Sequence, residues 1–250
     1  NWYSCDANED SIQSTSPIDD ALGDYGCFQG GVYIFYNQGS GTQINPNVFT
    51  LVKDSDLLNP DNLKTTDGYK GGQLGRSCNT IGDLDLDGKE DIIIGEPSSF
   101  YTNGSIQSGR AFILKGRSGR LAEIDLKTDS IKLIHEFGDS SDFGASVAGI
   151  GNIDKSGSVD VAVGGSQRVV LFHLTTTSSG TVSATDPDSV IISPIGDVYT
   201  SFGSSIHNSV DLNNDGNLDL IFKNQNYVFI YYGNGTRFLN SAEQNANLDG

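Results

Sequence analysis

Three acidic segments of the chain carry oxygen ligands at a spacing that suits a divalent cation. The first reads D-L-D-L-D-G-K-E-D, with carboxylates at every second position of a tight turn and a closing Asp. Such side chains converge on one point, and the glycine permits a sharp bend after the third ligand. The predicted ligands of this first loop are Asp83, Asp85, Asp87, the backbone oxygen of Lys89, and Asp91. All-oxygen ligation with several carboxylates favours Ca²⁺ over Mg²⁺.

Two further copies of the loop have fewer carboxylates. The predicted ligands of the second loop are Asn152, Asp154, Ser156, the backbone oxygen of Ser158, and Asp160. The predicted ligands of the third loop are Asp211, Asn213, Asp215, the backbone oxygen of Asn217, and Asp219. A single such loop is equally well an ordinary turn, but three in register favour metal binding. Because fewer charges attract a cation less strongly, we expect two to three structural Ca²⁺ sites, filled in the order first, third, second.

The loops belong to a repeat rather than to EF-hands. An EF-hand needs a bidentate Glu at position twelve, and counting from Asp83 that position is Ile94, in a β-branched run. Residues 74–97, 143–166 and 202–225 align without gaps, each with a Gly eight residues before its acidic loop and an apolar run after it. An internal repeat of this kind indicates a repeat architecture.

Each repeat contains about four predicted strands. Aromatic and β-branched runs bounded by turn residues occupy 31–36, 110–114, 169–174 and 227–232, with weaker runs at 130–135 and 189–193. The polar segments 37–43 and 175–185 are predicted to be hairpin loops. Four antiparallel strands at this period describe a blade, so the sequence predicts an all-β fold, a β-propeller with about three to four blades. The predicted blade-like units are 1–70, 71–138, 139–198 and 199–250. The first is incomplete, and the last is expected to be either complete or cut short.

The repeats resemble the FG-GAP repeats of the integrin α-subunit propeller. The matching residues are Phe143-Gly144, Phe202-Gly203, the variant Leu74-Gly75, the three acidic loops, and Gly95-Glu96-Pro97 in the place of Gly-Ala-Pro. Gly164-Gly165-Ser166 is a weaker match, and Phe222-Lys223-Asn224 has lost the signature. The resemblance implies a propeller that holds Ca²⁺ between the first two strands of a blade, on an extracellular or cell-surface protein. Family propellers usually have seven blades of roughly 60 residues, so we expect this chain to be part of a larger propeller.

Composition excludes several classes of function. The net charge of −17 over 250 residues argues against a nucleic-acid partner, which needs a basic face. No apolar run reaches the roughly 20 residues that span a bilayer, so we expect no membrane insertion by this segment. The chain has no G-x-S-x-G or H-E-x-x-H motif, and its three histidines are scattered. The basic stretch that contains Arg110, Lys115, Arg117 and Arg120 is predicted to be a solvated hairpin, with an acidic partner as the alternative.

Two features bear on an extracellular location. A Cys5–Cys27 bridge with Cys78 left over is one interpretation of the three cysteines, and three buried free thiols are the other. Asn103 and Asn234 begin sequons that are glycosylated only in a eukaryotic secretory pathway.

The predicted function is non-enzymatic cell adhesion or surface recognition by a Ca²⁺-stabilised propeller. Its partner is expected to be a protein or glycan at the cell surface, and self-association or contact with remaining blades is an open possibility. The alternatives are a carbohydrate-binding lectin, a structural subunit of an extracellular filament or coat, and the non-catalytic propeller of a secreted hydrolase.

Overall fold

A computed structural model describes nine stretches of the chain, and every element below lies within them. The described residues are 31–35, 49–55, 72–97, 109–135, 142–166, 168–184, 190–192, 202–223 and 227–235. They form fifteen strands and one four-residue helix, so the predicted all-β class is confirmed. No helix in these stretches is long and apolar enough to cross a membrane.

The strands form where β-branched and aromatic residues are concentrated, with Gly, Asn and Asp in the turns between them. In chain order the strands are β1 (Val32–Phe35), β2 (Phe49–Lys53), β3 (Ser77–Gly82), β4 (Asp91–Glu96), β5 (Arg110–Leu114), β6 (Glu123–Asp125), β7 (Ser130–His135), β8 (Ser146–Gly151), β9 (Asp160–Gly164), β10 (Arg168–His173), β11 (Thr181–Ala184), β12 (Val190–Ile192), β13 (Ser205–Val210), β14 (Asp219–Lys223) and β15 (Val228–Tyr231). Helix α1 (Leu126–Asp129) follows β6, and the Asp125 side chain caps it by accepting the backbone N–H of Lys127.

The strands make four sheets of the propeller-blade type. The strand orders are β1–β2–β6, β11–β7–β5–β4–β3, β12–β10–β9–β8 and β13–β14–β15. In the second sheet β3, β4, β5 and β7 follow one another and pair antiparallel, and β8, β9, β10 and β12 repeat this meander in the third. β8 lies beside β3 on one side and β13 on the other, so the first strands of successive sheets are neighbours. This arrangement matches the predicted propeller blades.

Two short strands leave their own meander and join the preceding sheet. β6 pairs in parallel with β2, and β11 pairs in parallel with β7. Each of them lies between the third and fourth strands of a meander. The prediction of a hairpin loop over 175–185 is therefore wrong in part, because β11 lies within it. These parallel pairings give neighbouring sheets backbone hydrogen bonds to each other in addition to side-chain packing.

The hydrophobic cores lie between neighbouring sheets. Ile93 of the second sheet and Val163 and Phe172 of the third belong to one cluster of buried residues, together with Phe143. A second cluster joins the third sheet to the fourth and contains Phe202 and Phe222. The phenylalanines of both Phe-Gly signatures are fully buried. Each signature therefore supplies an aromatic side chain to the core of a sheet junction.

The glycines of the family signatures meet at the same junctions. Gly144 adopts a left-handed conformation with φ of 97° and places its carbonyl oxygen where a Cβ atom on Gly95 of the preceding sheet would overlap it. Gly203, with φ of 83°, meets Gly164 in the same way. The Oγ of Ser77 donates to the carbonyl oxygen of Gly144 at 2.9 Å. The two signatures thus fit together because neither backbone carries a Cβ at the point of contact.

Candidate metal centres

The three acidic loops share one backbone conformation. Each connects the first two strands of a sheet and has two residues with positive φ, which lie at the fourth and sixth positions. These are Leu86 (59°) and Gly88 (85°), Lys155 (58°) and Gly157 (96°), and Asn214 (59°) and Gly216 (84°). The Val159 side chain lies against Gly82, and the Leu218 side chain lies against Gly151, so successive loops are neighbours at one edge of the sheets. The repeat therefore places three acidic turns side by side.

The closing Asp of each loop anchors it to the body of the sheet. Asp91, Asp160 and Asp219 are fully buried. One carboxylate oxygen of each accepts the backbone N–H of the second loop residue. The donors are Leu84 at 2.7 Å, Ile153 at 2.9 Å and Leu212 at 2.8 Å. The first and third closing residues use their second oxygen too, accepting from Gly116 at 2.6 Å and from Gly233 at 2.9 Å. These hydrogen bonds fix the loop ends independently of any bound ion.

In the first loop the carboxylates are close together and one oxygen lacks a partner. The backbone N–H groups of Asp87 and Gly88 donate to the two oxygens of Asp83, at 3.0 and 2.7 Å. Oδ1 of Asp85 is buried and has no hydrogen-bond partner. Ligand atoms of Asp83, Asp85 and Asp91 lie within 4.8 Å of one another. Desolvation on burial raises the pKa of Asp91, against the effect of its two backbone donors. This group of oxygens is suited to a hard cation.

Two lysines accompany the first loop. Nζ of Lys89 lies 2.6 Å from Oδ2 of Asp87, and this hydrogen bond holds the pKa of Asp87 below its usual value. Nζ of Lys115 lies 3.4 Å from Oδ2 of Asp85. Solvent and salt screen ion pairs at such exposed positions, so each contributes little to stability.

In the third loop an amide, Asn213, stands at the position that Asp85 occupies in the first loop. Backbone N–H groups of Asp215 and Gly216 donate to Asp211, at 3.1 and 2.9 Å, as in the first loop. Asn213 donates from Nδ2 to Asp215 at 2.9 Å, and this bond holds the pKa of Asp215 down. The backbone N–H of Asn217 donates to the same carboxylate at 2.8 Å. No group of three acidic ligands meets the 4.8 Å spacing in this loop, all of whose residues are described.

The second loop brings a histidine next to two predicted ligands. Nδ1 of His173 lies 3.2 Å from Oδ1 of Asp160 and 3.5 Å from Oδ2 of Asp154. Ser156 donates its backbone N–H to the other oxygen of Asp154 at 2.9 Å. Oδ1 of Asn152, the first predicted ligand, is buried without a hydrogen-bond partner. His173 is one of three histidines whose scatter in the sequence gives no sign of a metal site, and the structure shows that its Nδ1 faces the loop.

Hairpin register is the signal that would have found His173. It lies directly opposite Asp160 in the pairing of β9 with β10. In the second and fourth sheets, the same strand pairing extended by one residue also reaches the closing Asp. The residue opposite the closing Asp then differs among the three sheets. The pairs are Lys115 with Asp91, His173 with Asp160, and Tyr232 with Asp219. The residue opposite the closing Asp therefore lies at or directly after the end of the third strand of each blade.

A separate buried cluster corrects the prediction for the basic stretch. Arg110 is buried and forms ion pairs with Asp54 and Glu96, both of which have fully buried side chains. Its guanidinium also lies over the ring of Phe112, 5.1 Å from the centroid. Desolvation on burial raises the pKa of Glu96 to about 7, against the lowering effect of Arg110. Arg110 therefore joins the first two sheets and does not belong to a solvated hairpin.

Other predicted features are partly described. Cys78 is an exposed free thiol, so the alternative of three buried thiols is wrong. The Cys5–Cys27 pairing and the sequon at Asn103 lie outside the described residues. Asn234 is exposed.

Comparison with known proteins agrees with the signatures. No protein-family model matches the chain. Integrin alpha pat-2 of Caenorhabditis briggsae is 32% identical over 126 residues, which is 48% of this chain and 10% of that protein. The predicted resemblance to integrin α subunits is confirmed. Integrin alpha-3 of Cricetulus griseus is 26% identical over 214 residues, 77% of this chain and 20% of its own length. Human integrin alpha-11 is 26% identical over 174 residues, covering 66% of this chain and 14% of that protein. The integrin-α-like chain thus spans a fifth or less of these relatives.

Proposed function

We propose that this chain is an extracellular, Ca²⁺-stabilised β-propeller module that recognises a protein ligand in cell adhesion and has no catalytic role. The observation that carries the proposal is the set of three acidic hairpin loops, held in one conformation on successive sheets of an integrin-α-like chain. A fold alone does not fix a function, so the proposal rests on these loops and on the resemblance together.

Calcium suits the first and third loops best. In the first loop Asp83, Asp85, Asp87, Asp91 and the backbone oxygen of Lys89 would hold the ion, and the buried unpaired Oδ1 of Asp85 fits that role. In the third loop the ligands would be Asp211, Asn213, Asp215, Asp219 and the backbone oxygen of Asn217. A hard cation accepts several oxygen donors and neutralises the like charges that the turn brings together. Extracellular Ca²⁺ modules bind with dissociation constants of about 0.1–1 mM, which suits exposed loops such as these.

The surface outside the three loops is better suited to binding a ligand than to catalysis. The carboxylates of Asp83 and Asp211 accept backbone N–H groups of their own loops, an arrangement that fixes each turn. Aromatic residues are exposed on strands at the two ends of the described set of sheets. They are Tyr33 and Phe35 of β1, and Tyr227 and Tyr232 beside β15. Tyrosine and phenylalanine are enriched in the centres of protein interfaces, which favours a protein ligand.

An array that carries extracellular-matrix proteins and glycans tests the proposal. We expect the full chain to bind at least one matrix protein in 2 mM Ca²⁺ (about the extracellular level) and to lose that binding when a chelator is added in excess. The double variant Asp85→Asn with Asp215→Asn should need more Ca²⁺ for the same signal. The variant Asp129→Asn is the matched control, because it removes an exposed carboxylate outside the loops.

Two outcomes would contradict this function. Binding that survives the chelator would remove calcium from the proposal. Binding to glycans with none to proteins would favour the lectin alternative.

A further inference from the structure

The second loop differs from the other two in the chemistry of its donor atoms. Its fifth position is Ser156, so the loop has two carboxylates, whereas the first loop has four and the third has three. An imidazole, His173, lies at its base. We propose that this loop binds a transition-metal ion of the Zn²⁺, Co²⁺ or Mn²⁺ class through Asp154, Asp160 and His173, in place of Ca²⁺.

The geometry brings one donor atom of each residue to a common point. Nδ1 of His173 is 3.2 Å from Oδ1 of Asp160 and 3.5 Å from Oδ2 of Asp154, and the three ligand atoms lie within 4.8 Å of one another. Ligands at bond lengths of about 2.0–2.1 Å around a tetrahedral ion are about 3.3–3.5 Å apart. The observed separations from Nδ1 therefore match the edges of a small coordination sphere.

The oxygens that are not directed at the histidine are held by the loop backbone. Ile153 donates its N–H to Oδ2 of Asp160 at 2.9 Å, and Ser156 donates to Oδ1 of Asp154 at 2.9 Å. Such hydrogen bonds orient ligating carboxylates and keep their other oxygen turned toward a metal. In the first and third loops a backbone N–H from Gly116 or Gly233 occupies the second oxygen of the closing Asp. The second loop offers the imidazole nitrogen at that place.

His173 itself has the features of a ligand. Its side chain is 5% exposed, and its polar contacts in the described structure are the two carboxylates, both made by Nδ1. Imidazole nitrogen is a preferred ligand for Zn²⁺ and its neighbours, whereas Ca²⁺ selects oxygen. The donor set of one nitrogen and two carboxylate oxygens therefore disfavours Ca²⁺ at this loop.

The loop also lacks the lysine that accompanies its neighbour. Lys155 is in the second loop, but its Nζ lies near Gly235, which follows the last strand of the fourth sheet. The first loop, in contrast, has Lys115 within 3.4 Å of Asp85. At the second loop the group opposite the closing Asp is an imidazole, which can bind a metal when neutral.

Titration with Co²⁺, a coloured substitute for Zn²⁺, tests the inference on the full chain in 2 mM Ca²⁺ (roughly the extracellular level). We expect one equivalent of Co²⁺ to bind and to give a visible absorption band that one equivalent of Zn²⁺ removes. His173→Gln should weaken Co²⁺ binding by about 10- to 100-fold or more, since even residues that only orient metal ligands have effects of that size. His207→Gln, on the exposed face of β13, is the matched control and should leave the titration unchanged.

The outcomes separate this inference from the proposed function. Absence of Co²⁺ binding, displacement of Co²⁺ by millimolar Ca²⁺, or an unchanged titration in His173→Gln would each overturn it, and none of them bears on the first and third loops. If His173→Gln does not fold, Asp154→Asn serves in its place and should also abolish the absorption band. Loss of matrix binding in a protein that still binds Co²⁺ would count against the adhesion proposal alone.

Discussion

At the scale of single residues, the junction of the first two sheets contains more buried negative charges than positive ones. Arg110 pairs with both Asp54 and Glu96, so one cation faces two carboxylates, and Lys132 adds a weaker attraction. One oxygen of Glu96 is buried without a hydrogen-bond partner. Burying an ionised carboxylate with incomplete pairing is costly, and a bound proton removes that cost. This balance explains why the pKa of Glu96 rises to about 7.

The raised pKa predicts a pH dependence of stability. Because folded Glu96 binds its proton more tightly than the unfolded chain does, its contribution is complete below the usual pKa of 4.5 and is lost as the pH rises to about 7. The free energy of unfolding should fall across this window by an amount on the order of 3 kcal/mol. Urea unfolding of the Glu96→Gln variant between pH 5 and 7.5, with Ca²⁺ present, should show a flatter profile than the wild type.

The control for this experiment is Glu123→Gln. Glu123 pairs with Lys53 at 2.7 Å but is half exposed, so its removal should leave the slope unchanged. Equal slopes in the wild type and Glu96→Gln would show that the cluster does not take up a proton on folding.

The positions of candidate ligands could be predicted from the sequence only where they lie in one short segment. Asp83, Asp85 and Asp91 fall within a nine-residue loop, so the sequence pattern identifies all three. The structure brings their carboxylate oxygens close together. His173 and Lys115 come from the third strand of the blade, and they reach the loops only through strand pairing. Their roles depend on hairpin register, which sequence spacing alone does not fix when the intervening turn is of unknown length.

At the scale of elements, the blade strands could be predicted and the linking strands could not. β5 and β10 are dense in β-branched and aromatic residues and are buried on both faces, so their sequences alone indicate strands. β6 and β11 are three and four residues long and contain few such residues. They become strands because an edge of the preceding sheet is available for pairing, which is a tertiary effect.

The glycine contacts between sheets predict a strong effect of one methyl group. Gly144→Ala should place a Cβ against the carbonyl oxygen of Arg110 and 2.9 Å from the backbone nitrogen of Glu96, while also straining a φ of 97°. We expect a loss of about 2–4 kcal/mol in the free energy of unfolding, from strain and overlap together. Chemical denaturation monitored by circular dichroism would measure it.

Gly119→Ala is the matched control for the sheet contact. Gly119 has a φ of 79°, but no atom lies within 4 Å of the place that a Cβ would occupy, so alanine there adds strain without overlap. Its cost should be about 1–2 kcal/mol. If the two variants are equally stable, the contact between Gly144 and the preceding sheet does not contribute to the junction.

At the scale of the whole molecule, repulsion among negative charges opposes the apolar packing between sheets. The chain carries a formal charge of −17, and three of its acidic turns lie side by side at one edge of the sheets. Self-repulsion of this kind destabilises a compact state. Each junction between sheets is nevertheless well packed, with buried clusters that contain Phe143 and Phe202. The apolar junctions therefore hold the sheets together, while the loops need a counter-charge.

Removal of Ca²⁺ should lower the melting temperature of the full chain. At 2 mM Ca²⁺, an ion that binds only the folded state with a dissociation constant of about 0.1–1 mM adds about 0.7–1.8 kcal/mol. For a chain of 250 residues this corresponds to about 1–7 °C for each occupied loop. Differential scanning calorimetry in excess chelator should show this decrease. Asp85→Asn should make the Ca²⁺-dependent decrease smaller, whereas Asp154→Asn should not, because the second loop is proposed to bind a transition-metal ion in place of Ca²⁺. An unchanged melting temperature would mean that lysine pairs and backbone donors alone offset the repulsion among the loop carboxylates.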